Sequence, residues 1–173
     1  IGHSYAAVGT GGFSTHDASF GYWNSPLIEG IASFFMLAGG ANFAVHFLAW
    51  QRRSLWPLVR DSEVRAYVLI FLGSTLFVAA TLAFTGTYDN GWQALRHGAF
   101  QVASILTSTG FTTAVFADWP LYLPLVLVTL SFIGGCAGST AGGIKVVRIQ
   151  LLGKLGLRQL FLEFHGYLQE IGR

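Results

Sequence analysis

Long apolar stretches alternate with short polar segments along this chain. Residues 30–50 form an uncharged run of 21 residues, and residues 66–88 form one of 23 residues. A helix needs about 20 apolar residues to cross a bilayer, so each run is predicted to be a membrane span. A third apolar run, from Trp119 to Ile133, has 15 residues and is too short to cross alone.

The short third run leads into a glycine-rich stretch at residues 134–143, after which a basic helical pattern begins at Ile144. We interpret these three segments as one discontinuous span, because helices that break inside the membrane often form ion sites and gates. Residues 159–173 are predicted to be an amphipathic segment on the cytoplasmic side.

Residues 92–106 are too short and too polar for a span. Two interpretations fit them: a pore helix that enters the membrane and returns, which requires surrounding protein, or an amphipathic helix on the surface. Residues 1–8 are predicted to be the end of a helix, and residues 16–29 a polar connection. The polar residues of the segment 92–106 include Gln93, Arg96, His97 and Gln101.

Two glycine-tipped loops follow predicted helix ends. Residues 107–113 read Thr-Ser-Thr-Gly-Phe-Thr-Thr, and residues 9–15 read Gly-Thr-Gly-Gly-Phe-Ser-Thr. Hydroxyl residues and a glycine at the end of a half-buried helix direct backbone carbonyls toward a dehydrated cation, as ion filters require. The partial negative charge at the helix C-terminus adds to this effect. We therefore interpret both loops as filter strands.

The two loops belong to an internal repeat, because a constant shift of 98 residues superposes the two halves without a gap. Such a repeat predicts quasi-equivalent units that face a common axis. The chain begins inside the first copy, so we expect it to be a piece of a longer membrane protein. The identical pairs include Gly12 with Gly110, Phe13 with Phe111, Thr15 with Thr113, Pro26 with Pro124, Ser33 with Ser131, and Gly40 with Gly138.

Composition supports a membrane protein. Hydrophobic residues make up 53% of the chain and charged residues 10%, whereas a soluble domain carries about 25% charged residues. The 22 glycines agree with this class, since glycine is more frequent in membrane helices. A net charge of +2 does not indicate nucleic-acid binding. The single Cys136 excludes an intrachain disulfide and a CxxC metal site.

The charges predict an orientation in the membrane. Nine of the ten Lys and Arg residues lie in residues 51–65, in the basic pattern after the glycine-rich stretch or at the C-terminal end, and the exception is Arg96. By the positive-inside rule these regions are cytoplasmic. Asp17, Asp89 and Asp118 then fall on the opposite side, where they either concentrate cations or keep the loops soluble.

No motif predicts an enzyme. Residues 138–145 approach a phosphate-binding loop, but the glycine–lysine–hydroxyl ending is missing. The five histidines show neither an i, i+4 pair nor the spacing of a zinc site. No acid–base pair lies within the apolar regions, as general acid–base catalysis would require.

Three segments make the chain similar to a known family. Residues 11–17, 107–113 and 132–148 resemble the Trk/Ktr/HKT superfamily of potassium transporters, most closely its bacterial TrkH type. The last segment is the most specific, and the likeness covers nearly the whole chain. The resemblance implies an all-α membrane protein of span–pore-helix–span repeats, with re-entrant filter loops and one broken transmembrane helix.

On this resemblance, four repeats surround one potassium pathway, and the chain comprises the end of the second repeat and the whole third repeat. Residues 1–50 are then the end of one repeat, 51–65 a cytoplasmic loop, 66–160 a complete repeat and 161–173 a cytoplasmic tail. Potassium is implied to bind backbone carbonyls at Thr10, Gly11, Gly12, Ser108, Thr109 and Gly110. The gate is implied to lie at Gly134, Gly135, Gly138, Ser139, Thr140, Gly142, Gly143 and Lys145.

The resemblance further implies potassium uptake across the bacterial inner membrane, a homodimer, a cytosolic nucleotide-binding regulatory subunit of the TrkA type, and no cofactor besides the transported potassium. Gly9 and Gly11 occupy the places of Thr107 and Thr109, and this asymmetry predicts a looser, less potassium-selective filter. Lys145 either repels cations in the closed state or holds the loop by hydrogen bonds. The alternative is a side chain that reaches for the membrane interface.

A second hypothesis stands beside the potassium pore. A proton-coupled carrier for a small solute would use the broken helix as its substrate site. It requires a titratable residue at mid-membrane, for which only His46 and Lys145 are available. His46 is also explained as a buried or hydrogen-bonded histidine. A membrane scaffold without transport leaves the repeated filter loops unexplained.

Overall fold

The computed structural model describes residues 1–120 and 122–171, with side chains as far as Leu162 in the last helix. This part of the chain contains helices and two short 3-10 turns but no strand. The predicted amphipathic character of residues 159–173 mostly concerns side chains outside the described residues. The helices are α1 (Gly2–Val8), α2 (Pro26–Gly40), α3 (Phe43–Arg52), α4 (Trp56–Arg60), α5 (Ser62–Phe84), α6 (Gly91–Leu106), α7 (Tyr122–Ile133) and α8 (Val146–Ile171).

Helix α5 is the one continuous helix in the described residues that is long and apolar enough to cross a membrane. It confirms the span predicted at residues 66–88 but lies four residues earlier at both ends. Asp61 sets the start, because its side chain caps the helix by accepting a hydrogen bond from Val64 N (2.9 Å). Leu69 and Leu76 on the outward face are exposed, as expected of a surface that meets lipid or another membrane helix.

The span predicted at residues 30–50 is not one continuous helix. This run forms two helices, α2 and α3, which meet at an angle of 100°. The backbone is extended at Ala41 and Asn42, and the Asn42 side chain caps α3 by accepting from Ala44 N (2.9 Å). An N-cap residue within an apolar run therefore starts a second helix in a new direction. The described residues thus contain two broken segments where one was predicted.

The polar connection predicted at residues 16–29 is shorter than expected. A 3-10 turn covers Ser19–Tyr22, and α2 already starts at Pro26. The proline ring suits the first turn of a helix, where its missing N–H has no partner to lose. Glu29, in that first turn, is 3% exposed and thus belongs to the protein interior.

Helix α6 packs against α2, α5 and α7 and is largely buried. Its bounds nearly match the predicted segment, and Asn90 caps its start by accepting from Trp92 N (3.0 Å). Protein surrounds it on several sides, which agrees with a pore helix and not with an amphipathic surface helix. Its buried residues are Ala94, Gly98, Phe100, Gln101, Val102, Ala103, Ser104 and Leu106.

Helices α7 and α8 form the predicted discontinuous segment, with the break at residues 134–145. Helix α8 begins at Val146, two residues later than predicted, because Lys145 adopts a left-handed conformation (φ +71°) that a helix does not contain. A shared apolar core holds α7 against α5 and α6. It includes Val78, Leu82, Ala94, Val102, Leu123, Leu127 and Leu130.

Candidate functional site

The two glycine-tipped loops leave their helices in the same way. After α1 and after α6, loop amides donate to carbonyls of the last helical turn, so the chain follows the same path twice. The bonds correspond under the shift of 98 residues. They are Gly9 N to Tyr5 O (2.8 Å) and Gly11 N to Ala6 O (2.8 Å), then Thr107 N to Ala103 O (3.1 Å) and Thr109 N to Ser104 O (2.8 Å).

The loops also share an unusual backbone conformation. Thr10 and Gly12 have φ values of +49° and +68°, and the equivalent Ser108 and Gly110 have +58° and +86°. A residue with a side chain pays about 1–2 kcal/mol to adopt this region, so Thr10 and Ser108 are held there by their surroundings. Left-handed residues at alternate positions turn successive carbonyls toward one side of a strand, which is the arrangement of an ion filter.

The two loops lie against each other. A Cβ atom added to Gly12 would lie 1.9 Å from the carbonyl oxygen of Thr109, so only glycine fits at this approach. The second loop is also bonded to the 3-10 turn that follows the first: Gly21 N donates to Thr112 O (3.2 Å), and Thr112 N donates to Ser19 Oγ (3.2 Å). The structure thus brings the six predicted filter residues to one place, half from each copy of the repeat.

The predicted asymmetry between the loops has a structural counterpart. In the second loop the Thr107 and Thr109 hydroxyls share a hydrogen bond (2.7 Å), and both residues are buried. Gly9 and Gly11 stand in these places in the first loop and have no hydroxyl to offer. The hydroxyl pair of the second loop therefore has no equivalent in the first loop, where the Thr10 hydroxyl instead donates out of the loop to Thr140 O (3.0 Å).

The glycine-rich stretch folds into a tight loop whose two ends touch. Ile144 N donates to Phe132 O (2.8 Å) across the break. Gly134 and Gly143 lie back to back with φ values of +69° and +84°, and a Cβ atom on Gly143 would come within 2.7 Å of Gly134 Cα. Side chains at these two positions would force the ends of the loop apart.

This loop is hydrogen-bonded to the break between α2 and α3. Cys136 N donates to Gly40 O (2.8 Å), and Phe43 N donates to Gly138 O (3.2 Å). Gly40 and Gly138 are equivalent under the repeat, so the two broken segments meet at matching positions. Backbone N–H and C=O groups that lack a helical partner at one break are hydrogen-bonded to backbone groups at the other, as irregular backbone inside a membrane requires.

The loop also contacts both filter strands. The Thr140 hydroxyl donates to Val8 O (3.0 Å), and the Thr10 hydroxyl donates to Thr140 O (3.0 Å). Beside the second strand, a Cβ atom on Gly142 would lie 3.2 Å from Ser108 Oγ. The residues predicted to form a gate are therefore immediate neighbours of those predicted to form the filter.

Lys145 and Ser139 stabilise the loop from within. The Lys145 ammonium group donates to Ala141 O, and the Ser139 hydroxyl donates to Cys136 O (2.6 Å). A charged group that is engaged with a loop carbonyl is not extended toward the membrane interface. Among the roles considered for Lys145, the geometry agrees with holding the loop by hydrogen bonds.

Two buried carboxylates were not foreseen from the sequence. Glu63, in the first turn of α5, accepts hydrogen bonds from Ala137 N (2.6 Å) and Val147 N (3.2 Å). Glu29 forms a bidentate ion pair with Arg96 (2.6 and 2.7 Å). The isolated position of Arg96 among the basic residues was a usable signal for the second carboxylate. Glu63 lies in a segment with four arginines, and nothing in that segment indicated a buried carboxylate.

His46 and the outer carboxylates complete the sequence candidates. The His46 Nε2 atom donates to Ala38 O (3.0 Å) across the bend between α2 and α3, which confirms the hydrogen-bonded histidine. An open depression of about 450 Å³ next to the two filter strands is lined by Asp17 but by neither Asp89 nor Asp118. No group of three or more His, Cys, Asp or Glu side chains among the described residues is arranged to hold a metal ion.

Comparison with known proteins decides the family. The TrkH family model, described as a cation transport protein, matches residues 1–168. The chain belongs to the TrkH family. It is 44% identical over 165 residues to the Trk system potassium uptake protein TrkH of Halomonas elongata, which covers 95% of this chain and 34% of the relative. It is 47% identical over 160 residues to the TrkH protein of Salmonella typhimurium, with 92% and 33% covered.

A solved structure of the TrkH family has the same fold. The crystal structure of the potassium transporter TrkH from Vibrio parahaemolyticus matches with a TM-score of 0.92 at 44% identity, over 95% of this chain and 36% of that one. The predicted fold class is thereby confirmed: an all-α membrane protein built from pore-helix repeats. The chain spans about a third of the length of the TrkH relatives it matches.

Proposed function

We propose that this chain supplies two filter strands and the gate of a potassium-uptake pore, acting together with further repeats of the same kind. The observation that carries the proposal is the contact between Gly12 and the Thr109 carbonyl, made by two loops with the same alternating left-handed backbone. The potassium uptake named for the relatives agrees with potassium as the cargo. The metal ion is substrate here, and no cofactor is proposed.

In the proposed filter, backbone carbonyls replace the hydration shell of a potassium ion that moves down the membrane potential. The carbonyls come from Thr10–Gly12 in one strand and from Ser108–Gly110 in the other. Gly11, Ser108 and Gly110 are exposed in the described residues, so this stretch of backbone is accessible to an ion. Because Gly9 and Gly11 replace the bonded threonines of the second strand, we expect a weaker preference for potassium over sodium than four threonine-stabilised strands would give.

In the proposed gate, the loop at residues 134–143 together with Lys145 narrows the path beside the filter. The Thr140 carbonyl accepts a hydrogen bond from Thr10 of the first strand, and Gly142 lies beside the second. A displacement of the loop therefore changes the opening next to both strands at once. Gly138 and Gly143 have positive φ values and provide the turning points for such a displacement.

The carrier hypothesis gains no support from the site. It needs a titratable group at mid-membrane that is free to exchange a proton with the substrate path. The two available groups, His46 and Lys145, both donate to backbone carbonyls. Their hydrogen bonds give each a structural role, so we do not propose coupled transport.

The wider organisation is part of the proposal. Residues 1–50 are the end of one repeat, 51–65 a cytoplasmic loop that includes α4, 66–160 a complete repeat and 161–173 a cytoplasmic tail. We further propose a multi-pass protein of the bacterial inner membrane, a homodimer, and regulation by a cytosolic nucleotide-binding subunit of the TrkA type. The basic residues after the gate, among them Arg148 and Lys154, agree with a cytoplasmic position for α8.

Potassium uptake into cells that lack other uptake systems tests the proposal. The protein tested is a transporter in which this chain is joined to its remaining repeats. Deleting residues 138–140 should raise the uptake rate when the regulatory subunit is absent, because the loop no longer narrows the path. Gly110→Ser should lower the ratio of potassium to sodium uptake. An unchanged rate would remove the gate from the account, and an unchanged ratio would count against the filter assignment.

A further inference from the structure

Glu63 is a buried carboxylate without a cationic partner. It is 7% exposed, and the only ion pair among the described residues joins Arg96 to Glu29. Burying an unpaired carboxylate is costly unless hydrogen bonds replace its hydration. The hydrogen bonds that Glu63 accepts are therefore the reason it can occupy this place.

Both of these hydrogen bonds come from the glycine-rich loop and its exit. Glu63 Oε1 accepts from Ala137 N (2.6 Å), near the start of the loop, and from Val147 N (3.2 Å), in the first turn of α8. The first amides of a helix have no partner within it, and the helix dipole favours a negative charge beside them. One carboxylate oxygen on α5 thus joins two points that are ten residues apart in the chain.

We propose that Glu63 anchors the gate, a positioning role that rests on the function proposed above. By holding both ends of the loop against α5, it confines movement to residues 138–145. The residues that touch the filter strands, Thr140 and Gly142, lie inside this segment. Glu63 itself has no described hydrogen bond to either filter strand, so it controls the position of the gate and not the selectivity of the filter.

Replacing Glu63 should change how often the gate is closed but not the selectivity of the filter. Glu63→Ala removes two hydrogen bonds to a charged acceptor, so the loop should leave its narrowing position more often and resting potassium flux should rise about tenfold. The ratio of potassium to sodium uptake should stay unchanged. Glu63→Gln retains an acceptor oxygen, so its resting potassium flux should stay close to that of the unsubstituted transporter. Glu63→Asp retains the charge but withdraws it from the two amides, so it should also raise the flux.

Asp61→Ala is the matched control. Asp61 lies two residues away on the same helix terminus, and its side chain bonds to Val64 N and not to the loop. This variant loses a carboxylate and weakens the start of α5, as Glu63→Ala does, but it should leave the resting flux unchanged. A rise in flux of the same size in Asp61→Ala would overturn the anchor, because the effect would then come from α5 alone.

Amide hydrogen exchange gives a readout that does not depend on transport. In the detergent-purified transporter, exchange at Ala137 and Val147 should become faster in Glu63→Ala and Glu63→Asp but not in Asp61→Ala. Unchanged exchange would overturn the anchor even if the pore proposal holds. Faster exchange with an unchanged flux would overturn the control of gating by Glu63. If deletion of residues 138–140 then also leaves the flux unchanged, the proposed gate itself is wrong and not only its anchor.

Discussion

The contact between Gly12 and the Thr109 carbonyl offers the sharpest test of the paired filter strands. In Gly12→Ala the new Cβ would lie 1.9 Å from that carbonyl oxygen, well inside contact distance. The backbone fixes the position of the Cβ atom, and the carbonyl is itself a backbone group, so no side-chain rotation relieves the clash. Overpacking of this kind costs about 1–3 kcal/mol, and a left-handed alanine at φ +68° adds about 1–2 kcal/mol. The expected loss of stability is therefore about 2–5 kcal/mol.

Gly86→Ala separates these two costs. Gly86 has nearly the same φ value, +64°, but a Cβ atom there would meet nothing within 4 Å. Gly86→Ala should therefore lower the stability only by the conformational cost of about 1–2 kcal/mol. The difference between the two variants measures the contact between the loops, and it should be about 1–3 kcal/mol.

Two assays read out this comparison. Thermal unfolding of the purified protein in detergent should show a larger loss for Gly12→Ala than for Gly86→Ala. In a transporter that carries this chain, Gly12→Ala should also lower the ratio of potassium to sodium uptake, because the Thr109 carbonyl must move. Equal losses of stability together with an unchanged ratio in both variants would refute the reasoning.

Three further substitutions test other contacts. Arg96→Gln leaves Glu29 buried and unpaired and should lower the free energy of unfolding by about 3–5 kcal/mol. Adding Glu29→Gln should recover part of this loss. A loss no larger than the contribution of a solvent-exposed ion pair would contradict this expectation. Thr109→Val removes the hydroxyl bond to Thr107 and should lower the ratio of potassium to sodium uptake while uptake continues; an unaltered ratio would show that this bond does not stabilise the filter. Asn42→Ala removes the cap of α3 and should cost about 1 kcal/mol in thermal unfolding, and no cost would mean that the bend does not depend on the cap.

Local signals in the sequence predicted much of the fold. Apolar run length identified α5, and the caps supplied by Asp61 and Asn90 account for its shift and for the start of α6. The bend at Asn42 escaped prediction, because an uncharged run of spanning length looks the same whether or not its peptide groups find partners elsewhere. The equivalence of Gly40 with Gly138 contained a clue, since a break in one copy of a repeat suggests a break in the other.

The candidate filter and gate residues stand out in the sequence as motifs, whereas the contacts between them do not. The approach of Gly12 to the Thr109 carbonyl depends on how two distant helix ends pack, and nothing in either loop alone encodes it. The burial and the partners of Glu63 could not be predicted for a related reason. Its partners are backbone amides 74 and 84 residues further along the chain, and backbone amides leave no mark in a sequence.

The central claim is that two glycine-tipped loops share one dehydrated cation path. Anomalous scattering from rubidium or thallium in crystals of a transporter that contains this chain measures it most directly, because these ions substitute for potassium. The account predicts peaks on a common axis between the carbonyls of Thr10–Gly12 and those of Ser108–Gly110. Ion peaks elsewhere in the protein, with none between these two strands, would contradict it.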